Sequence, residues 1–225
     1  MRIGVFGDSF ADKHFDDTWW AYLKNYGHDV HCFGESGSSL AFSAGLLWTH
    51  ALEFEHLIWC VTNVNRVSFR NQDKNYHVTN SFDAIDEDIN IAKKQQISQA
   101  YLQHVHDSHG HEALGWLAVQ GALQKFQNLT VIPCFETPVY FMQEPGFNLC
   151  ELSAREAQYY FPGKDLYTIH QQYYDFRSAH FMPSTHLKLA EMINTAVMSG
   201  KKIFSADYSS FPPPTDSVEH RFPPR

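Results

Sequence analysis

Ser9 has the clearest chemical potential in this chain. It closes the run Ile3-Gly4-Val5-Phe6-Gly7-Asp8-Ser9, a short apolar stretch that ends in a glycine and an aspartate. A serine at the carboxyl end of a first strand stands on the rim of an α/β sheet, where such folds bind ligands. Gly7 has no Cβ and lets the chain turn sharply. The residues beyond lead towards a helix, whose N-terminal amides favour negative charge. Attack of a serine on a carbonyl creates an oxyanion, so a nucleophilic serine suits this setting. Gly-Asp-Ser alone is equally an ordinary strand-to-loop turn, and partners elsewhere must decide.

Three other segments offer partners. Gly34-Glu35-Ser36-Gly37-Ser38-Ser39 follows a second strand-like run; a glycine there lets a backbone N–H approach an oxyanion closely, or simply turns strand into helix. Thr62-Asn63-Val64-Asn65-Arg66 follows a third run. The amide of Asn63, or of its rival Asn65, can donate to the same oxygen, although asparagine also suits plain loops. Asp175-Phe176-Arg177-Ser178-Ala179-His180 precedes the last helical pattern. His180 can take the Ser9 proton there, with Asp175 as the carboxylate that orients it.

The elements that must position these residues are legible as period. Strand-like apolar runs lie at 2–6, 29–33, 57–61 and 129–134, short and apolar throughout, as strands buried in a parallel sheet are. Helical patterns lie between them: 18–23 ended by Gly27, the Ala- and Leu-rich 40–54, and 112–126. Strand–helix alternation argues a doubly wound α/β sheet. A shorter helix is expected at 153–160, and a last one from Ser184 as N-cap, carrying Leu187, Ala190, Ile193 and Val197. Residues from Arg66 to Asp88 are polar and aromatic without clear period, which reads as a loop or lid; Ile97, Ala100, Tyr101 and Val105 then share a helical face. Phe-Pro-Pro-Pro and Phe-Pro-Pro-Arg mark an extended tail.

In this order the segments resemble the GDSL esterase/lipase family, also called SGNH hydrolases, from Ile3 to about Met198. The resemblance implies a three-layer α/β/α sandwich with a mostly parallel, flavodoxin-like sheet. It would span residues 1–205 as one domain, with an insertion around 66–110 and the Pro-rich tail at 206–225. It implies Ser9 as nucleophile and His180 as general base, with Asp175 behind it. The oxyanion hole would comprise the N–H groups of Ser9 and Gly37 and the Asn63 amide. Ester hydrolysis on a small-molecule or carbohydrate ester follows, with no metal and no cofactor. Two blocks depart from the family. Its asparagine block usually reads Gly-x-Asn-Asp, where this chain has Val61-Thr62-Asn63-Val64; its histidine block commonly reads Asp-x-x-His, where this chain has Arg177 three residues before His180. The later proline and second histidine are present as Pro183 and His186. These departures keep open a non-catalytic binding protein of the same fold, and the chemistry keeps open an O-acyltransferase.

Composition narrows the rest. The 225 residues are 44% hydrophobic with a formal net charge of -8, which argues for a folded domain and against a nucleic-acid or anionic-membrane partner. No run nears the ~18 apolar residues of a membrane span, and no secretory signal pattern precedes the first strand. Cys32, Cys60, Cys134 and Cys150 lack CxxC spacing and read as buried free thiols of a cytoplasmic protein, the first three inside strand-like runs. His104, His106, His109 and His111, with Asp107 and Glu112, invite a metal but read as a solvated helix junction. Trp19, Trp20, Trp48 and Trp59 read as core. Tyr159, Tyr160, Phe161, Tyr167, Tyr173 and Tyr174 suit either a pocket lining or core packing.

Overall fold

The apolar runs become four parallel strands, β1 (Arg2–Phe6), β2 (Asp29–Cys32), β3 (His56–Val61) and β6 (Leu129–Pro133), in the order β2-β1-β3-β6. This is a computed structural model, and it describes residues 1–14, 17–64, 66–71, 74–78, 108–135, 148–163 and 181–204. Ile3 pairs with Val30 on one side and His56 on the other, and Trp59 pairs with Val131. The order matches the first four strands of a flavodoxin-like sheet, with the switch point beside β1.

Side chains alternate across the strands, and each face is covered by helices. Ile3, Val5, Ile58, Cys60 and Ile132 face one layer, formed by α1 (Trp19–Tyr22), α4 (Leu149–Tyr160) and α5 (Pro183–Met198). Phe6, Leu57, Trp59, Val61 and Val131 face the other, formed by α2 (Leu40–His50) and α3 (Ser108–Lys125). The result is the expected three-layer α/β/α sandwich. Helix α2 starts at Ser39, whose hydroxyl accepts the Phe42 N–H at 3.2 Å. Among the described residues no helix is long and apolar enough to cross a membrane.

Four local expectations change. Residues 67–78 include an antiparallel pair, β4 (Val67–Asn71) and β5 (Lys74–Val78), where the sequence showed no period. Ser184 lies inside α5 rather than capping it, because Pro183 occupies the first helical position and Met182 is the N-cap; a proline there loses no hydrogen bond. Leu187 is exposed, and Thr185, His186 and Leu189 are buried in its place. Trp48 is half-exposed, packed edge-on against Phe126 at 4.9 Å rather than set in the core. The other three tryptophans named above are buried, as is Phe161. The segment 79–107 and the tail from 205 lie outside the described residues.

His56 ties the sheet to the chain after α5. Its Nε2 lies 3.0 Å from Thr130 Oγ1, and that hydroxyl donates to the Lys201 carbonyl at 2.8 Å. The hydroxyl proton is therefore committed, and the ring must donate from Nε2. Burial, and then the nearby Lys202 and His28, lower its pKa from 6.5 to about 4. Between those values the unfolded chain binds a proton that the folded one refuses, so stability rises with pH there. Acidification from pH 6.5 to 4 should lower the unfolding free energy read from urea titrations, by at most about 1.4 kcal/mol per pH unit from this group. His56→Gln should flatten that window; an unchanged slope in the variant would assign the acid sensitivity elsewhere.

Candidate active site

Strand β1 ends at Phe6, and Gly7 turns against β3 so tightly that a Cβ there would lie 2.5 Å from Cys60 Cβ. Asp8 then caps a single 3-10 turn, Ser9–Ala11, by accepting the Phe10 N–H at 3.1 Å. Ser9 is half-buried at the start of that turn.

Asp8 is fully buried, and its other oxygen draws in the loop after β3: Thr62 Oγ1 and Arg66 Nη1 each donate to Oδ2 at 2.7 Å. The Arg66 guanidinium lies 4.5 Å from the centre of the Phe135 ring, which follows β6. The Arg66 N–H closes the turn by donating to Asn63 O at 3.2 Å. The loop after β2 is drawn in from the other side. The Gly7 carbonyl accepts Ser38 Oγ–H at 3.0 Å and Glu35 N–H at 3.2 Å. Gly37 is buried there at φ +76°. Among the described residues its N–H donates to no backbone carbonyl outside regular helices and strands.

Because β1 lies between β2 and β3, the turn that carries Ser9 lies between the loop that carries Gly37 and the loop that carries Asn63. Asp175, His180 and Asn65 lie outside the described residues. The described residue next to His180, Phe181, is buried, with its ring 5.7 Å from that of Phe10 and 5.3 Å from that of His186. The chain neighbours of Ser9 and His180 are thus in contact. His186 Nδ1 accepts the Trp19 N–H at 3.1 Å; Thr18 makes no side-chain cap there, so the imidazole takes one of the donors that a helix start leaves open. Glu156, buried on α4, accepts the Met182 N–H at 2.9 Å and the Thr185 hydroxyl at 2.5 Å, and so holds the start of α5.

The four cysteines are free, but only Cys60 and Cys134 are buried as expected; Cys32 is half-buried and Cys150 exposed. Burial pushes the Cys32 and Cys134 thiols well above their ordinary pKa, so both stay protonated and are poor nucleophiles. Among the described residues no group of three or more His, Cys, Asp or Glu side chains is gathered to hold a metal ion. His104, His106, Asp107 and the side chains of His109 and His111 lie outside that set.

From the sequence, Thr62 and Arg66 read as loop residues only, and nothing singles out Asp12 or Glu156. The one available signal was acidic or cationic side chains set in otherwise apolar surroundings. The chain matches no protein-family model and no curated protein, so the family resemblance stands on its motif residues alone.

Removing Arg66 leaves the Asp8 carboxylate buried without its counter-charge. Arg66→Met should lower stability by about 3 kcal/mol in urea unfolding at neutral pH. Asp8→Asn in the Arg66→Met background should recover part of that loss, and a single variant as stable as wild type would show that the pair is dispensable.

Proposed function

We propose that the protein is a serine ester hydrolase working through a Ser9 acyl-enzyme. The observation that carries this is the position of Ser9 just after a central strand, in a turn between the loop that carries Gly37 and the loop that carries Asn63. Ser9 Oγ attacks the ester carbonyl while His180 takes its proton, and Asp175 orients the ring. The N–H groups of Ser9 and Gly37 and the Asn63 amide receive the oxyanion. The alcohol leaves with the proton from His180, and water, deprotonated by the same ring, releases the acid. The Phe10–Phe181 contact supports the pairing of Ser9 with His180, since it brings their chain neighbours together. The substrate is a small-molecule or carbohydrate ester, and the four free thiols suit a reducing, cytoplasmic setting.

A second reading, a non-catalytic binding protein on the same fold, is favoured by Val64. Where the family carries an aspartate, Val64 packs against Gly115 of α3, so close that a Cβ on that glycine would lie 2.6 Å from Cγ1. A fluorophosphonate probe separates the two, because only an activated serine is labelled. Ser9→Ala should abolish both labelling and hydrolysis of p-nitrophenyl acetate while leaving the unfolding transition intact. Asn63→Ala should lower kcat about 100-fold, the usual loss for one oxyanion donor. Full activity in Ser9→Ala would end the esterase proposal.

A further inference from the structure

We propose that Asp12 is a positioning residue for the oxyanion donor at Gly37, acting through Ser36; this rests on the esterase chemistry above. Asp12 ends the 3-10 turn that begins at Ser9, and the chain there runs against the loop after β2. Residues Asp12 and Gly34 form a parallel bridge, and the Lys13 N–H donates to Gly34 O at 3.1 Å. The approach is so close that a Cβ on Gly34 would lie 1.5 Å from the Ala11 carbonyl oxygen. The Asp12 side chain completes this seam. It is 4% exposed. Oδ1 accepts the His14 N–H at 2.8 Å, and Oδ2 accepts the Ser36 N–H at 3.1 Å together with the Ser36 hydroxyl.

Ser36 is thereby held by its backbone and its side chain at once. On the other side of Gly37, Ser38 is held by its own two bonds, Oγ–H to Gly7 O at 3.0 Å and N–H to Glu35 O at 3.1 Å. The Gly37 peptide lies between two anchored residues, and the Ser36–Gly37 peptide plane sets the direction of its N–H. Two aspartates four residues apart therefore divide the work around Ser9: Asp8 fixes the loop that carries Asn63, and Asp12 fixes the loop that carries Gly37. An oxyanion donor is worth most when it is aimed before the charge develops, and small misplacement of such a group costs rate rather than ground-state binding.

The experiment compares wild type, Asp12→Ala, Ser36→Ala, Ser36→Thr and the Asp12→Ala/Ser36→Ala double variant. Fluorophosphonate labelling of Ser9, p-nitrophenyl acetate kinetics and amide hydrogen exchange are read on each. Ser36→Ala keeps the backbone bond and guards against a variant that fails to fold. In a labelled wild type, Asp12→Ala should lower kcat about tenfold or more with KM within about twofold. Ser36→Ala should fall in the same sense, Ser36→Thr should restore the rate, and the double variant should be no slower than Asp12→Ala. Exchange at Gly37 should quicken in both alanine variants while that at Val5 and Ile58 stays put. Unchanged kcat in Asp12→Ala and Ser36→Ala, losses that multiply in the double variant, or a loss wholly in KM would each overturn the positioning role alone. A wild type that is neither labelled at Ser9 nor active would overturn the esterase proposal, and this role with it.

Discussion

A carboxylate without access to water must find its donors and counter-charge inside the protein, and Asp8 finds them on two different loops. Its own turn supplies the Phe10 N–H, and the loop after β3 supplies the Thr62 hydroxyl and the Arg66 guanidinium. Desolvating such a charge is costly, and only well-made partners offset the cost. The geometry of all three is therefore fixed together: if the β3 loop moves, Asp8 is left charged and buried. Phe135 extends the constraint to the fourth strand by lying beneath the guanidinium. The rim of the sheet is held as one unit by a group in the middle of the Gly-Asp-Ser run.

The same logic recurs where helices meet that rim. Neither α1 nor α5 is capped by its own N-cap side chain. Helix α1 has its first N–H taken by His186 of α5, and α5 has its start taken by Glu156 of α4. Each buried polar group thus locks one helix end to another helix. Around them Phe10, Phe135 and Phe181 pack as an aromatic cluster, with ring separations of 5.6 and 5.7 Å about Phe10. Apolar packing supplies adhesion there, and the hydrogen bonds, being directional, supply register.

In the proposed chemistry this rigidity is the catalytic resource. Acyl transfer needs donors already aimed at the place where charge will develop, and aiming them during the reaction would raise the barrier. Loops are the usual home of such donors and are by nature the most mobile parts of a fold. Here the loops on either side of the Ser9 turn are each fastened to a carboxylate of that turn. Desolvation keeps the nearby Cys32 and Cys134 thiols protonated, so neither competes with the serine in the proposed chemistry.

The strands were legible to within a residue, because a parallel strand buried on both faces is apolar throughout and its length is read directly from the run. The alternation of strand and helix determined the sandwich, and the placing of Ser9, Gly37 and Asn63 in the loops after β1, β2 and β3 was legible because glycine, serine and asparagine at strand ends are local signals. The hairpin at 67–78 was not, since its period is masked by polar and aromatic residues, nor was the exposure of Leu187 and Trp48, which depends on where neighbouring layers end. Asp8, Asp12, Thr62, Arg66, Glu156 and His186 took their roles only in three dimensions. Residue type and spacing, by themselves, determined which atoms are available for chemistry at each strand end. Which buried charge or donor holds them in place was decided by tertiary structure alone, because a buried polar group is satisfied by whatever partner the fold brings within hydrogen-bonding distance, and for most of these groups that partner lies far away along the chain.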